Sequence, residues 1–322
     1  MKEFVIAAGD DGKKLDKWLI REMPAVGMGL RRKYFRLKRY KLNGRPAKED
    51  ARLAAGDVLQ VYLSDELFDK PKREDPFLSK IRPALRVVYE DAHLLIVDKK
   101  PGLPAHPDAN EKVNTLITHA QAYLYQKGEY DPASPGAFAP ALCNRLDRFT
   151  GGLEIIAKTR EAMDVLNQKI RDREIEKYYL CAAFGRFERS EGMFDNYIVK
   201  RSGEKKVHVS ARPDPDGKRA QTRYRVLARA NGLSLVECEL LTGRTHQIRA
   251  QMAHAGHPLL GDNQYGDARR SERYGRGYQA LCAYQLKFSF SSGAGVLEPL
   301  GGREFRAGLP RFVPEYFPEY KP

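Results

Sequence analysis

Four segments of the 322-residue chain carry residue types that can do chemistry. The sharpest is Cys143-Asn144-Arg145-Leu146-Asp147-Arg148-Phe149-Thr150-Gly151-Gly152-Leu153-Glu154. Asp147 stands between two arginines, ahead of a Thr-Gly-Gly step and a strand-like run. Positive charge on both sides favours the ionised form of a carboxylate. Such a group in a loop before a strand suits a nucleophile or, equally, a surface ion pair. The second segment runs from Leu240-Leu241-Thr242-Gly243-Arg244-Thr245-His246-Gln247-Ile248-Arg249 to Gly256-His257-Pro258-Leu259-Leu260-Gly261-Asp262. A strand meets a Thr-Gly turn and then a helix starting near Thr245, and helix N-termini with arginines favour anions. His246, His254 and His257 lack the spacing of a zinc-binding helix, so no metal is expected. The third segment, Glu176 to Gly185, reads as a buried strand. Its paired Tyr178 and Tyr179 point to opposite faces, so one can enter a site while the other packs or meets solvent. The fourth, Leu94 to Pro107, is an apolar strand that runs into a Pro-Gly turn carrying Lys99 and Lys100.

These segments need elements to hold them. Between the first and third lies a helix opened by Thr159, with Met163, Leu166 and Ile170 on one face. From Ile81 onward the pattern is that of a larger mixed domain, assigned to residues 84–322. Residues 67–83 are charged, with two early prolines and little periodicity, and read as a linker. Residues 1–66 form a smaller basic unit. In it Leu15, Trp18 and Leu19 fall on one helical face, and Asn43-Gly44 signals a turn. Gly56-Asp57 leads into a strand, Val58 to Leu63. Residues 31–41 hold seven basic residues and no acid. A helix there would bury Tyr34 or Phe35 with Leu37 and present Arg31, Arg32, Lys33, Arg36, Lys38 and Arg39. The segments 123–140 and 264–278 look like variable loops without an assignable role.

Composition bounds the partners. The formal net charge is +14 and the sequence pI about 9.5, which favours a polyanion such as nucleic acid. Cys143, Cys181, Cys238 and Cys282 are widely spaced and form no C-x-x-C pair, so buried free thiols are expected. The N-terminus has no signal-peptide pattern, and no apolar run is long enough to span a bilayer. A soluble, reducing, cytoplasmic setting with no membrane partner is therefore expected.

Taken in order, the segments resemble the RluA family of pseudouridine synthases over about residues 83–290. The family's Arg-Leu-Asp-x-x-Thr-x-Gly-Leu stretch is met by Arg145 to Leu153. Its Lys-x-Tyr strand is met by Lys177-Tyr178-Tyr179, which selects Tyr179. Its Gly-Arg-Thr-His-Gln-Ile-Arg segment is present from Gly243 to Arg249, and its Gly-His-Pro-x-x-Gly-Asp run from Gly256 to Asp262. The front unit resembles the alpha-L RNA-binding module through Leu15-Asp16-Lys17-Trp18-Leu19, the basic helix, Leu42-Asn43-Gly44 and Gly56-Asp57-Val58-Leu59. Departures are Asn144 where the family often has His, Phe149 where it often has an acid, and Gly151 where it often has Ser. They bear on substrate choice more than on chemistry.

The resemblance implies an α+β fold. A mixed, mostly antiparallel central sheet with flanking helices would hold RNA in a cleft between two halves, with a small N-terminal α/β RNA-binding module in front. It implies isomerisation of uridine to pseudouridine, with Asp147 as the catalytic carboxylate, Tyr179 as the group that stacks on the base and takes the C5 proton, and Arg249 pairing with Asp147. Arg145 would fill the space of a flipped nucleotide. Arg148, Lys99, Arg244 and the basic helix would hold RNA. Large-subunit ribosomal RNA is the favoured substrate, with transfer RNA the alternative. A monomer without metal or nucleotide cofactor is expected. Two other readings compete with this one. One is a non-enzymatic RNA-binding assembly factor. The other is a glycosidase, which would need a second carboxylate within ~10 Å and has no obvious candidate but Asp262.

Overall fold

The computed structural model describes residues 1–23, 26–63, 76–134, 136–275 and 277–321. Two units divide it: Met1–Ser79 with Asp131–Ala137, and Lys80–Tyr130 with Phe138–Pro322. In the first, β1 (Lys2–Val5), β2 (Tyr40–Leu42), β3 (Arg45–Pro46) and β4 (Val58–Val61) form a sheet in the order β1-β4-β2-β3. The Asn43-Gly44 signal is realised as a two-residue hairpin. Both residues have positive φ (50° and 77°) and Leu42 pairs with Arg45, the geometry that matches strand twist. Helix α1 (Leu15–Glu22) buries Leu15, Trp18 and Leu19 as its spacing predicts. They meet Tyr40, Leu59 and Val61 in one apolar core.

The basic helix is shorter and earlier than expected. It is α2 (Met28–Arg36), and Lys38 and Arg39 lie beyond its end. The Lys38 N–H bonds to the Phe35 carbonyl and the Arg39 N–H to that of Tyr34, both at 2.9 Å, while Lys38 adopts φ 55°. This is a Schellman ending with lysine in the position glycine usually takes. Leu37 is consequently exposed, not packed with Tyr34 and Phe35. Of the expected linker 67–83, residues 67–75 lie outside the described residues, as does the expected boundary at residue 66. Pro76–Lys80 form a short helix, α3.

The second unit is built on eleven strands among the described residues: β5 (Val87–Glu90), β6 (Leu94–Lys99), β7 (Ala141–Leu142), β8 (Gly151–Ala157), β9 (Ile175–Phe184), β10 (Glu191–Val199), β11 (His208–Ser210), β12 (Gly217–Ala230), β13 (Leu233–Leu240), β14 (Leu281–Phe288) and β15 (Glu304–Arg306). Their order is β11-β10-β12-β13-β9-β14-β8-β6-β5, with β15 added to β14 and β7 to β8. Pairing is antiparallel except between β14 and β8. The mixed, mostly antiparallel sheet expected from the sequence is thus what the chain forms. The helices are α4 (Leu116–Gln126), α5 (Arg160–Arg171), α6 (Gln247–His254), α7 (Ala268–Glu272) and α8 (Phe312–Tyr316). Thr159 caps α5 by accepting the Ala162 N–H, a common first-turn arrangement. Ala162 and Leu166 of α5 then join Leu153, Ile155, Ile175 and Leu180 in the main core. The two segments read as loops are partly helical: 123–126 complete α4, and 268–272 are α7. Among the described residues no helix is long and apolar enough to cross a membrane.

At the centre of the sheet the backbone is tightly constrained. Gly151 and Gly152 of β8 run parallel to Cys282 and Ala283 of β14. Gly152 has φ 108°, and a Cβ there would lie 2.2 Å from the Ala283 carbonyl oxygen. Strand β8 therefore leaves the preceding loop along a path open to glycine alone. Gly152→Ala should lower the stability of this unit by more than about 3 kcal/mol. Gly293→Ala, at a site with open space and no positive φ, should leave it unchanged. Thermal unfolding of the two variants makes the comparison, and equal melting temperatures would refute the constraint.

Candidate active site

Asp147 lies in the loop between β7 and β8, and that loop is held from beneath. Strand β6 runs antiparallel to β8, with Val97 opposite Glu154 and Lys99 opposite Gly152. Lys99 and Glu154 are thus diagonal neighbours on one face of the sheet. Both are buried. The Lys99 Nζ lies 3.0 Å from the Leu103 carbonyl oxygen, 3.1 Å from that of Arg148, 3.3 Å from that of Asp147 and 3.4 Å from that of Lys100. Glu154 accepts the Leu146 N–H at 3.2 Å. Its other oxygen has no hydrogen-bond partner among the described residues. Burial pushes the Lys99 ammonium down and the Glu154 carboxyl up, and the charge of each partly offsets the other's shift. The Pro-Gly turn adds two links. Gly102 N–H donates to the Arg148 carbonyl at 2.8 Å, and Arg148 Nε donates to the Gly102 carbonyl at 3.1 Å.

The side chain of Asp147 is oriented from the other side. Arg249, in the first turn of α6, donates from Nη1 to Asp147 Oδ2 at 2.8 Å. Its Nε and Nη2 form a fork on Asp262 at 2.7 and 3.0 Å, and Nη2 also reaches Gln264 Oε1 at 3.0 Å. Asp262 is fully buried, whereas Asp147 keeps 28% of its side chain exposed toward the cleft. Its Oδ1 has no hydrogen-bonded partner among the described residues. Asp262 is therefore the anchor of Arg249 and not the second carboxylate that a glycosidase would need.

His246 caps this arrangement. It holds a left-handed backbone (φ 54°) at the start of α6, a conformation that surroundings must enforce on a non-glycine residue. Its Nε2 lies 3.8 Å from Asp147 Oδ2 and its Nδ1 lies 2.9 Å from the Tyr265 hydroxyl. The Tyr265 oxygen also accepts the Val207 N–H at 2.8 Å. Burial lowers the His246 pKa, and the Arg249 cation adds to this while the Asp147 and Asp262 charges oppose it. The Arg249 guanidinium also lies 5.1 Å from the Tyr265 ring centroid, within cation–π range.

Tyr179 enters from β9, the strand between β13 and β14. It is buried beside Leu146, Ile248, Met252 and Leu281. Tyr178 turns to the opposite face, where its hydroxyl donates to Glu176 at 2.5 Å. Burial raises the Tyr179 pKa, and the carboxylates of Glu154 and Asp147 raise it further. Tyr179 is thus a neutral phenol. A cavity of about 930 Å³ opens over these groups, with Asp147, Tyr179, Lys177, Arg145, Arg148 and Arg244 in its lining. It spans the middle strands of the sheet and lies wholly within the second unit.

The structure brings Asp147, Tyr179 and Arg249 together, and it sets Arg145, Arg148 and Arg244 around the cavity with exposed side chains. Two expected RNA contacts are corrected. Lys99 cannot meet phosphate, because its ammonium is buried on four main-chain carbonyls. Arg31 is buried, pairing with Asp16 at 3.0 Å and donating to the Val26 carbonyl at 2.7 Å. Arg32, Lys33, Arg36, Lys38 and Arg39 are exposed. Asn144 proves structural: its amide accepts the Ile155 N–H at 2.8 Å and donates to the Leu153 carbonyl at 3.3 Å. Sequence reasoning missed Glu154, His246, Gln264 and Tyr265 as supports of the site. The signal available for His246 was its place beside Arg249 in the anion-favouring segment. Glu154 offered only a lone acid inside an apolar run.

Comparison with known proteins bears on this geometry. The RNA pseudouridylate synthase family matches residues 93–254. The ribosomal large subunit pseudouridine synthase D of Zymomonas mobilis is 34% identical over 70% of this chain and 70% of its own. That of Xanthomonas campestris is 30% identical over 98% of this chain and 90% of its own. Among solved structures, human RNA pseudouridylate synthase domain containing 4 shares the fold, with a TM-score of 0.55 and 24% identity over 71% of this chain and 90% of that one. The chain belongs to the RNA pseudouridylate synthase family, in its RluA branch, and is a pseudouridine synthase.

Proposed function

We propose that this enzyme isomerises specific uridines of large-subunit ribosomal RNA in the cytoplasm, with Asp147 as its catalytic carboxylate. The observation that carries the assignment is the Asp147 carboxylate itself, held by Arg249 at one oxygen and open to a cation-lined cavity at the other. The names of the relatives supply the RNA. The reaction breaks the bond from uracil N1 to ribose C1′, turns the base, joins C5 to C1′, and loses the C5 proton as N1 gains one. Asp147 meets C1′ as it gains positive charge, in the way glycosidase carboxylates meet oxocarbenium-like centres. Arg249 aims the carboxylate, and Asp262 keeps Arg249 in place.

The uridine must leave its stack to reach Asp147, at a cost of a few kcal/mol that contacts elsewhere offset. Arg145, exposed beside Asp147, fills the vacated space. Arg148 and Arg244 hold flanking phosphates. Residues 1–66 act as an RNA-binding module in which Arg32, Lys33, Arg36, Lys38 and Arg39 neutralise phosphates, adding affinity more than sequence choice. The Tyr179 ring forms the floor under the base. For Tyr179 to take the C5 proton it must first lose its own, and its surroundings oppose that.

Three outcomes are expected. Asp147→Asn should abolish pseudouridine formation while RNA binding persists, and Asp262→Asn should lower kcat about 100-fold through the freed Arg249. Single-turnover assays on ribosomal RNA lacking the modification decide this, and full activity in Asp147→Asn would remove the assignment. If the Tyr179 phenolate is the base, the rate of proton loss should climb about tenfold per unit between pH 7 and 10, because the raised pKa keeps the phenolate scarce throughout. Tyr179→Phe should lose both product and slope; a flat wild-type profile, with chemistry limiting, rules the base role out. Finally, replacing Arg32, Lys33 and Arg36 by Gln should flatten the salt dependence of RNA affinity by about 0.7 to 0.9 for each phosphate that is no longer neutralised. An unchanged slope in a salt titration would place the RNA elsewhere.

A further inference from the structure

We propose that Phe149 and Tyr278 form a stacking subsite for an unpaired nucleobase beside the uridine being isomerised. Phe149 stands two residues after Asp147, and Tyr278 precedes β14. Their rings are stacked, with centroids 6.0 Å apart and planes inclined by 21°. Yet they remain 45% and 38% exposed, so part of one aromatic surface faces solvent at the loop that carries the catalytic carboxylate. The Arg148 guanidinium lies 5.8 Å from the Phe149 ring centroid. Aromatic faces beside exposed cations are what proteins use to bind single-stranded nucleic acid: the cation meets the backbone, and the ring meets whichever base is splayed out. A base flipped toward Asp147 leaves unstacked neighbours that need such a surface.

The rings are exposed but their backbones are not free to move. The carbonyl of Arg148 is held by Lys99 and Gly102, and Thr150, which is buried, donates its N–H to the Asp147 carbonyl at 3.0 Å. On the other side, Gly261 (φ 76°) lets the Tyr278 main chain approach so closely that a Cβ would lie 2.0 Å from the Tyr278 carbonyl oxygen. Gln279 Nε2 reaches Thr150 Oγ1 at 3.4 Å and ties the two segments together. The surface is therefore presented ready-made, which limits the ordering cost of binding. The subsite rests on the reacting uridine being at Asp147. It commits to a base contact by stacking, which tolerates any of the four bases.

The probe is a decauridylate with one central 2-aminopurine, whose fluorescence falls when the base stacks, titrated with the full chain at low salt. Wild type and Asp147→Asn should quench it. Phe149→Ala and Tyr278→Ala should lose most of the quenching and bind about tenfold more weakly, while Phe149→Trp should retain both. Equal melting temperatures show that the exposed rings serve no folding role. On ribosomal RNA lacking the modification, the alanine variants should raise KM more than they lower kcat. Unaltered quenching and affinity in the double alanine variant would overturn the subsite, even if wild type modifies ribosomal RNA. Conversely, quenching that depends on Phe149 in an enzyme that modifies no ribosomal uridine would leave the subsite standing and refute the RNA assignment alone.

Discussion

The site depends on one guanidinium shared by two carboxylates of unequal burial. Asp262 has no exposure and accepts a two-point fork from Arg249, so the cation's plane is fixed by the interior. The remaining Nη1 is then aimed at Asp147, the partner that faces the cleft. Burying such a pair adds little stability, because desolvation consumes most of the Coulombic gain. It adds direction: planar forks specify orientation in a way that a lysine ammonium does not. Gln264 and the Tyr265 ring close the remaining sides of the cation. The turn after α6 thereby supports the aim of Arg249 at Asp147.

A second buried cation does for the main chain what Arg249 does for the side chain. Lys99 gathers four carbonyls, two of them from the Asp147 loop, while Glu154 accepts the N–H of Leu146. Opposite poles of nearby peptides are thus held by two neighbouring side chains on β6 and β8. Glu154 keeps one oxygen without a partner among the described residues, a costly feature in an interior. A partly neutralised carboxyl tolerates this better than a carboxylate does, which agrees with the upward push on its pKa. Loop and side chain are therefore fixed independently, from β6–β8 below and from α6 beside. The strained backbone of His246 lies where the α6 support begins.

What could be read from the sequence divides along the same line. The meeting of Asp147, Tyr179 and Arg249 at one cavity was legible only through the family resemblance, since the residues alone left Asp147 open between a nucleophile and a surface ion pair. The choice of Tyr179 over Tyr178 needed that context too, since alternation alone says they face apart but not which face is the cleft. The strand-like runs and the cap at Thr159 showed a mixed domain, and the mostly antiparallel sheet came from the resemblance. Lys99 was misread because a lysine after an apolar strand looks solvent-bound until the loop folded over it is known. Arg31 was misread for a similar reason: a dense run of cations conceals the one that turns inward to Asp16. The end of α2 was hidden because Lys38 occupies the left-handed position where glycine would have announced it. Asp262 and Tyr265 were out of reach because their partners are set by a turn whose geometry is tertiary.

The distribution of charge follows from pairing more than from composition. On the long strand β12, Arg219 faces Asp195, Arg223 faces Glu239 and Arg225 faces Glu237, each within 3.0 Å. Exposed pairs of this kind contribute little to stability, but each sets a carboxylate against the cation and lowers the local positive charge. At the cavity the pattern reverses. Arg148 and Arg244 bond to the neutral carbonyls of Gly102 and Arg219, and Arg145 has no hydrogen-bonded partner among the described residues. A carbonyl orients a guanidinium without spending its charge. The excess of +14 is therefore not spread evenly over the sheet. Part of it, on Arg145, Arg148 and Arg244, stands at the cavity beside Asp147, where a phosphate backbone must lie if one of its nucleotides is to reach the carboxylate.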